Sequence, residues 1–291
     1  MVIVNIYGGL GNQMFQYSTA YALSLLQSKQ LKLDIQRFEK YEIRDFELSC
    51  FNLEVNKATL SESKFLKENI ENIFEKLLRK LKGTKKTLPV SYIKEKSYHF
   101  DETLLSLKSE CYLDGYWQSE KYFSMYREEI LKQFTAKNSL HDDSQAYIEK
   151  MQSVPSVSLH IRRGDYVSNP GANSFHGLCS LEYYKSAVEE MNRRVPNAHY
   201  FIFSDDLVWA KENLTFIDQI SFVDLGEDVP DYEEIILMSK CEHNIIANSS
   251  FSWWGAWLGD INERMVIAPK RWFNDENIDT SDLIPDRWIR L

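Results

Sequence analysis

The apolar residues of the chain first run almost without a break, in VIVNIY at 2–7, and stop at the glycines Gly8, Gly9 and Gly11. Helical spacing follows in MFQYSTAYALSLLQS at 14–28, and a second apolar stretch, QLKLDI, comes after a short connection. Strand, glycine turn, helix and strand in that order predict a βαβ unit of a parallel sheet with right-handed crossover. The rhythm restarts in the second half: strand SVSLHI at 156–161, helix SLEYYKSAVEEMNRRV, strand HYFIFS, strand-like ISFV, helix DYEEIILMSKC, strand HNIIA and helix FSWWGAWLG. These strands are rich in Val, Ile and Phe without polar alternation, as strands covered on both faces are.

Between the two halves the pattern changes. Residues 57–90 show long helical segments, and FEKLLRKLKGTKK at 74–86 sets lysine and arginine opposite an apolar stripe. That stretch reads either as a solvated helix face or as a basic surface resting on anionic lipid through Lys80, Lys82, Lys85 and Lys86. Aromatic-rich YLDGYWQSEKYF and polar AKNSLHDDSQ then mark a drop in apolar content, which places a domain boundary between 1–145 and 146–291.

Composition narrows the classes. At 291 residues and 44% hydrophobic content, the chain is comfortable as two buried cores of an α/β protein. A formal charge of -9 argues against a nucleic-acid binder, so an anionic ligand needs arginine clustered locally. Cys50, Cys111, Cys179 and Cys241 stand singly, without zinc spacing or the density of a disulfide scaffold, and read as reduced core thiols. The opening MVIVNIYGGLGNQ has neither a signal peptide nor a stretch long enough to span a bilayer.

Chemistry gathers at three strand ends, in VNIYGGLGNQ, SLHIRRGDY and IIANSSFSWW. In open α/β sheets that edge receives ligands. HIRRGDY reads either as a solvated turn closed by Gly164 or as a grip on the diphosphate of a nucleotide sugar. Arginine suits a diphosphate because its planar fork makes two parallel hydrogen bonds, which leaves no need for a bound metal. If the pleat continues, His160 and Arg162 share the phosphate face, and Arg163 takes the other with an internal acid such as Asp165. In the third stretch Asn248 or Ser249 caps a short helix that Gly259 stops, and its amides with the Ser249 and Ser250 hydroxyls favour an anion. Trp253, Trp254 and Trp257 serve equally well as core.

Two competing readings are weaker. GGLGNQ followed by Asp34 has the look of a dinucleotide fingerprint, but Met14 stands where the third glycine belongs. Ser204, Asp205 and Asp206 in FIFSDD offer an acidic pair for a divalent ion, yet the arginines already supply positive charge, so neither metal nor other cofactor is expected.

Together, GGLGNQMFQY, HIRRGDYV, FSDD and HNIIANSSFSWWGAWL, in that order over nearly the whole chain, resemble the α1,2-fucosyltransferases of glycosyltransferase family 11. The resemblance implies a GT-B fold of two facing Rossmann-like domains with a cleft between them. It implies inverting, metal-independent transfer of L-fucose from GDP-fucose, held mainly by the C-terminal domain, to O2 of a terminal β-galactoside during bacterial polysaccharide assembly. His160 and Arg162 would bind the diphosphate, Ser249, Ser250 and Phe251 would line the nucleotide end, and Asn12 would reach over from the N-terminal domain. Gly9, Ser204, Asp205 and Asn248 complete the expected donor set. An acid for guanine falls at Glu234, with Glu233 and Asp231 as neighbours. Gln13 stands where some protein O-fucosyltransferases carry a glutamate, which leaves His176 and Asp165 as equal candidates for the general base beside Arg162. Tyr116 and Trp117 either stack an acceptor sugar or merely pack. The expected location is cytoplasmic, peripheral to the inner membrane and toward a lipid-linked acceptor if the basic segment meets lipid.

Overall fold

The buried run at the N-terminus forms β1 (Val2–Asn5), and all four of its residues are inside. A computed structural model describes residues 1–38, 45–68, 91–164, 177–259, 262 and 264–291. The chain divides into two units, Met1–Gln133 and Phe134–Leu291.

In the first unit Gly8 turns the chain at φ 82°, and α1 (Leu10–Gln27) follows with Gly9 as its N-cap. Then come β2 (Leu31–Asp34), α2 (Leu60–Lys67), β3 (Tyr92–Lys94), β4 (Cys111–Asp114) and α3 (Arg127–Gln133). The strands make a parallel sheet in the order β2-β1-β4-β3. Leu66 of α2 packs on Ile3 and Tyr112. Thr59 starts α2 with a reciprocal capping box to Glu62. Asp34 at the end of β2 is buried and takes Lys67 at 3.0 Å and the Tyr112 hydroxyl at 2.7 Å. Its carboxylate is thus held internally, unlike the exposed acid that a dinucleotide ribose requires.

The second unit runs α4 (Asp142–Gln152), β5 (Ser156–Ile161), α5 (Leu181–Arg194), β6 (His199–Ser204), α6 (Leu207–Asn213), β7 (Ile220–Phe222), α7 (Tyr232–Lys240), β8 (His243–Ile245), α8 (Ser250–Trp257), β9 (Val266–Ala268) and β10 (Ile289–Arg290). All six strands are parallel, in the order β10-β9-β8-β5-β6-β7. From the β7 edge that is 3-2-1-4-5-6, the order of a doubly wound nucleotide-binding sheet. Every residue of β5 is buried, as a central parallel strand demands. Val157, Leu159 and Ile161 share a core with Tyr184, Ala187, Val188 and Met191 of α5.

The expected boundary at 145/146 falls inside α4, which belongs to the second unit. The polar stretch that marks the expected boundary is in part an acidic first helical turn, with Asp142 and Asp143 favoured by the helix dipole. All four cysteines are free thiols. Among the described residues no helix is long and apolar enough to cross a membrane. The basic stretch at 74–86 lies outside the described residues.

Candidate functional site

The strand order of the second unit reverses between β5 and β8, and their carboxyl ends flank the crevice where sheets of this order bind ligands. Three stretches of chain converge there.

The first is the end of β5. The odd positions of β5 face α5, which sends the even ones to the opposite side, where the His160 ring lies 5.9 Å from that of Phe251 in α8. His160 is 4% exposed, and its Nδ1 has no hydrogen-bond partner among the described residues. Burial, reinforced by the Arg162 charge, pushes its pKa down to about 3, so the ring is neutral at physiological pH. Arg162, the next even position, pairs with Asp205 Oδ2 at 3.0 Å. The Arg163 amide donates to Asp205 Oδ1 at 2.8 Å, while its Nε sits 3.3 Å from Asp206 Oδ2 and its guanidinium 4.1 Å from the centre of the Trp209 ring. Asp205 therefore holds both arginines. Gly164 lets it come close, since a Cβ there would lie 3.1 Å from Asp205 Oδ2.

The second stretch follows β6. Register pairs Ile161 with Ser204, so both strands end level and Asp205 meets Arg162 across the gap. Ser204 Oγ accepts the Asp206 amide at 3.0 Å, and Asp206 Oδ1 caps α6 through the Trp209 amide at 3.0 Å.

The third comprises α7 and α8. Glu234 lies in the first turn of α7. Burial, helped by the charges of Asp231 and Asp205 and opposed by Arg162, raises its pKa to about 7. Its neighbour Glu233 is buried, and its carboxylate accepts the His141 amide at 3.0 and 3.3 Å, a structural anchor for the start of α4. Ser249 caps α8, its Oγ accepting the Phe251 amide at 3.3 Å, and Ser250 opens the helix. Asn248, expected among the donor ligands, is buried. Its Nδ2 donates to the Gly177 and Trp272 carbonyls at 3.2 and 3.1 Å, and its Oδ1 accepts from the Cys179 thiol at 3.4 Å. Trp253, Trp254 and Trp257 are all core. A cavity of about 570 Å³ opens beside Asn248, lined also by Ser180, Tyr183, Lys270 and Asn274.

The model of glycosyl transferase family 11 matches residues 1–291. The chain belongs to this family. An alpha-1,2-colitosyltransferase of Escherichia coli is 35% identical over 297 residues, covering 100% of this chain and 99% of the relative. The O-antigen biosynthesis glycosyltransferase WbnK of Escherichia coli is also 35% identical, over 98% of both chains. The galactoside alpha-(1,2)-fucosyltransferase 2 of Pongo pygmaeus is 24% identical over 88% of this chain and 68% of its own. The solved fucosyltransferase NodZ from Bradyrhizobium aligns with 89% of this chain and 92% of its own at 12% identity and a TM-score of 0.49, too distant a likeness to bear on the site.

The other expected site residues of this family 11 glycosyltransferase belong to the first unit or fall outside the described residues. Gly9 and Asn12 belong to the first unit. Gly9 has open space where a Cβ would stand, and Asn12 Oδ1 accepts from Gln118 Nε2 at 2.7 Å. Gln13 is fully buried and links the Gly8 carbonyl to the backbone at Asp45 and Glu47. Asp165 and His176 lie outside the described residues. Among the described residues no cluster of three or more His, Cys, Asp or Glu side chains is arranged for a metal. Asp206 and Trp209 were missed as the partners of Arg163. The signal was an acidic pair level with two arginines, which a parallel register of adjacent strands brings face to face.

Proposed function

We propose that this glycosyltransferase moves L-fucose from GDP-fucose to O2 of a terminal β-galactoside, with inversion and without a bound metal. One observation carries the reading. A buried His160 nitrogen with no partner among the described residues lies beside Arg162 at the carboxyl end of the central strand, flanked by a serine-capped helix. A buried polar atom left unpaired is costly, and a ligand oxygen would satisfy it.

On this reading Arg162 bridges phosphate oxygens with its fork, the α8 amides add dipole, and neutral His160 offers an N–H. The acceptor O2 bonds to fucose C1 as the bond from C1 to the β-phosphate oxygen breaks, and the hydroxyl proton passes to a base, for which Asp165 and His176 stay the candidates. Charge grows on the departing diphosphate, so preorganised donors there lower the barrier. Fucose is a deoxy sugar whose oxocarbenium ion is comparatively accessible, which leaves the leaving group as the main demand. Asp205 and Asp206, the acids a divalent ion would use, each face an arginine, which supports the metal-free form.

The test is incubation of the protein with GDP-fucose and a panel of β-galactosides, following GDP release and product linkage. Acceptor-dependent GDP release with an α1,2 product is expected. Release no faster than hydrolysis with every β-galactoside, while GDP still binds, overturns the reading. A second donor is favoured by the colitosyltransferase likeness at 35% identity. Colitose is fucose lacking O3, and competition between the two GDP sugars distinguishes them.

Glu234 suits the guanine edge, whose N–H groups a carboxylate accepts. Its pKa of about 7 makes the ionised, accepting form dominant above pH 7 and lost below it. GDP-fucose affinity is expected to fall by up to about tenfold per pH unit below 7, and Glu234→Gln should flatten that slope. Titration calorimetry between pH 6 and 8 decides it, and a flat wild-type profile removes Glu234 from the guanine site.

A further inference from the structure

Between β8 and α8 the chain bends sharply. The Ser249 amide donates to the Ala247 carbonyl at 2.8 Å, which closes a three-residue γ-turn with Asn248 at its centre. One hydrogen bond fixes such a turn weakly, so its direction depends on what the central side chain grips. Asn248 is 3% exposed, and the two protons of its Nδ2 go to the Gly177 and Trp272 carbonyls at 3.2 and 3.1 Å. Its Oδ1 accepts from the Cys179 thiol at 3.4 Å. Burial pushes that thiol up to about 11, so it stays protonated and donates.

These partners belong to two loops. Gly177 and Cys179 lead into α5, which Ser180 caps by accepting the Tyr183 amide at 3.2 Å. Trp272 is buried in the turn after β9, and Arg271 shapes that turn by donating to the Phe273 carbonyl at 3.2 Å and the Asn274 carbonyl at 2.6 Å. The loops meet closely at Gly177. Its φ of 70° is left-handed, and a Cβ there would fall 2.3 Å from Asn274 Oδ1, so glycine fits where a side chain would be strained. Asn248 thus ties the entry to α5, the turn after β9 and the entry to α8 into one arrangement.

The entry to α8 carries the chemistry. Ser249 is extended at φ -138° and ψ 128°, which lets its Oγ meet the Phe251 amide at 3.3 Å. Phe251 in turn lies against His160. A rotation of the peptide between Asn248 and Ser249 would move the hydroxyl, the first amides of the helix and the Phe251 ring together. A donor meant for a growing charge acts only if it is already in place, and a misplacement of about 1 Å can cost about 10²-fold in rate.

We infer that Asn248 is a positioning residue: by pinning the γ-turn it aims the start of α8 at the departing diphosphate, without itself touching the ligand. The inference rests on the donor site read above. Its amide protons are already used in holding two loops, so what it gives the site is direction. The effect falls on kcat. Donor affinity is shared with Arg162 and the guanine contact at Glu234, whereas the charge released in the transition state is met by the donors beside the breaking bond.

The test uses the full-length protein with GDP-fucose and the best acceptor of the β-galactoside panel, and measures kcat and KM, with GDP affinity by titration calorimetry and melting curves alongside. Asn248→Ala is expected to lower kcat by about 30–100-fold, while KM for GDP-fucose and the Kd of GDP stay within about threefold. Asn248→Ser returns one donor and should fall between alanine and wild type. It also reads the same quantity should the alanine variant not fold. Wild-type kcat in a folded variant overturns the inference, and so does a lower melting temperature with kcat unchanged below it. GDP affinity lost in step with kcat overturns it too, since Asn248 would then be a ligand contact. If turnover needs GDP-colitose, the fucose reading alone fails, and the split is measured with that donor. Should no β-galactoside accept, the acceptor reading alone fails, and the split is read on donor hydrolysis. A wild type that binds no GDP sinks both.

Discussion

Arg162→Ala is expected to lower kcat/KM for transfer by about 10³-fold or more, since losing one preorganised donor to a developing oxyanion costs about 10²–10³ and Arg162 offers a two-pronged one. Its placement explains the size of the effect. The residue continues the buried face of β5, and its charge reaches both His160 and Glu234. Stability should change little, because Arg162 and Asp205 are each about a quarter exposed (26% and 24%) and such pairs contribute at most about 1 kcal/mol. Arg162→Lys restores the charge without the fork and should fall between alanine and wild type. Steady-state kinetics with GDP-fucose and lactose, alongside melting curves, make the comparison. Wild-type turnover in folded Arg162→Ala would reject the diphosphate role.

The second large effect concerns stability. Trp253→Ala is expected to cost about 3–5 kcal/mol, the range for removing a buried aromatic. Trp253 is fully buried, donates its indole N–H to the Leu283 carbonyl at 3.0 Å, stacks on Trp257 at 6.0 Å and meets Trp254 and Trp288 at 5.1 and 5.4 Å. Removal leaves both a cavity and an unpaired carbonyl. Because α8 carries this cluster, the variant should also loosen the capped start of the helix at Ser249. Gly255 adds to the tightness, since a Cβ there would come within 2.7 Å of the Met238 Cβ in α7. Denaturant unfolding measures the loss, and a cost below about 1 kcal/mol would show that the cluster is not the keystone of this core.

Much of this was legible in the residues, for identifiable reasons. SVSLHI and HYFIFS announce buried parallel strands because both faces are covered, and HIRRGDY marks a strand end because charges cannot continue inside. The Ser249 cap needs only local hydrogen bonding, so local sequence suffices for it. Short strands escaped. Val266–Ala268 and Ile289–Arg290 have three and two residues, too few for a period. Tertiary pairings escaped as well. Arg163 takes Asp206 through the β5–β6 register, across 43 positions of chain. Tyr116 stays half-buried and Trp117 is core, a divergence through one backbone angle, φ 57° at Trp117, set by Glu95, whose carboxylate accepts both amides. Asn248 follows β8, and packing turns its amide toward two loops, one at Gly177–Cys179 and one at Trp272.

The pairing of Arg162 with Asp205 bears on how quickly a donor is captured. A guanidinium already matched by a carboxylate projects little field into solvent, and the chain as a whole carries a formal charge of -9. An incoming anion thus gains little long-range steering and recognises the arginine only on contact. Association then proceeds at the modest pace of unsteered encounters, and raising the ionic strength, which mainly screens the repulsion between two anions, does little to slow it.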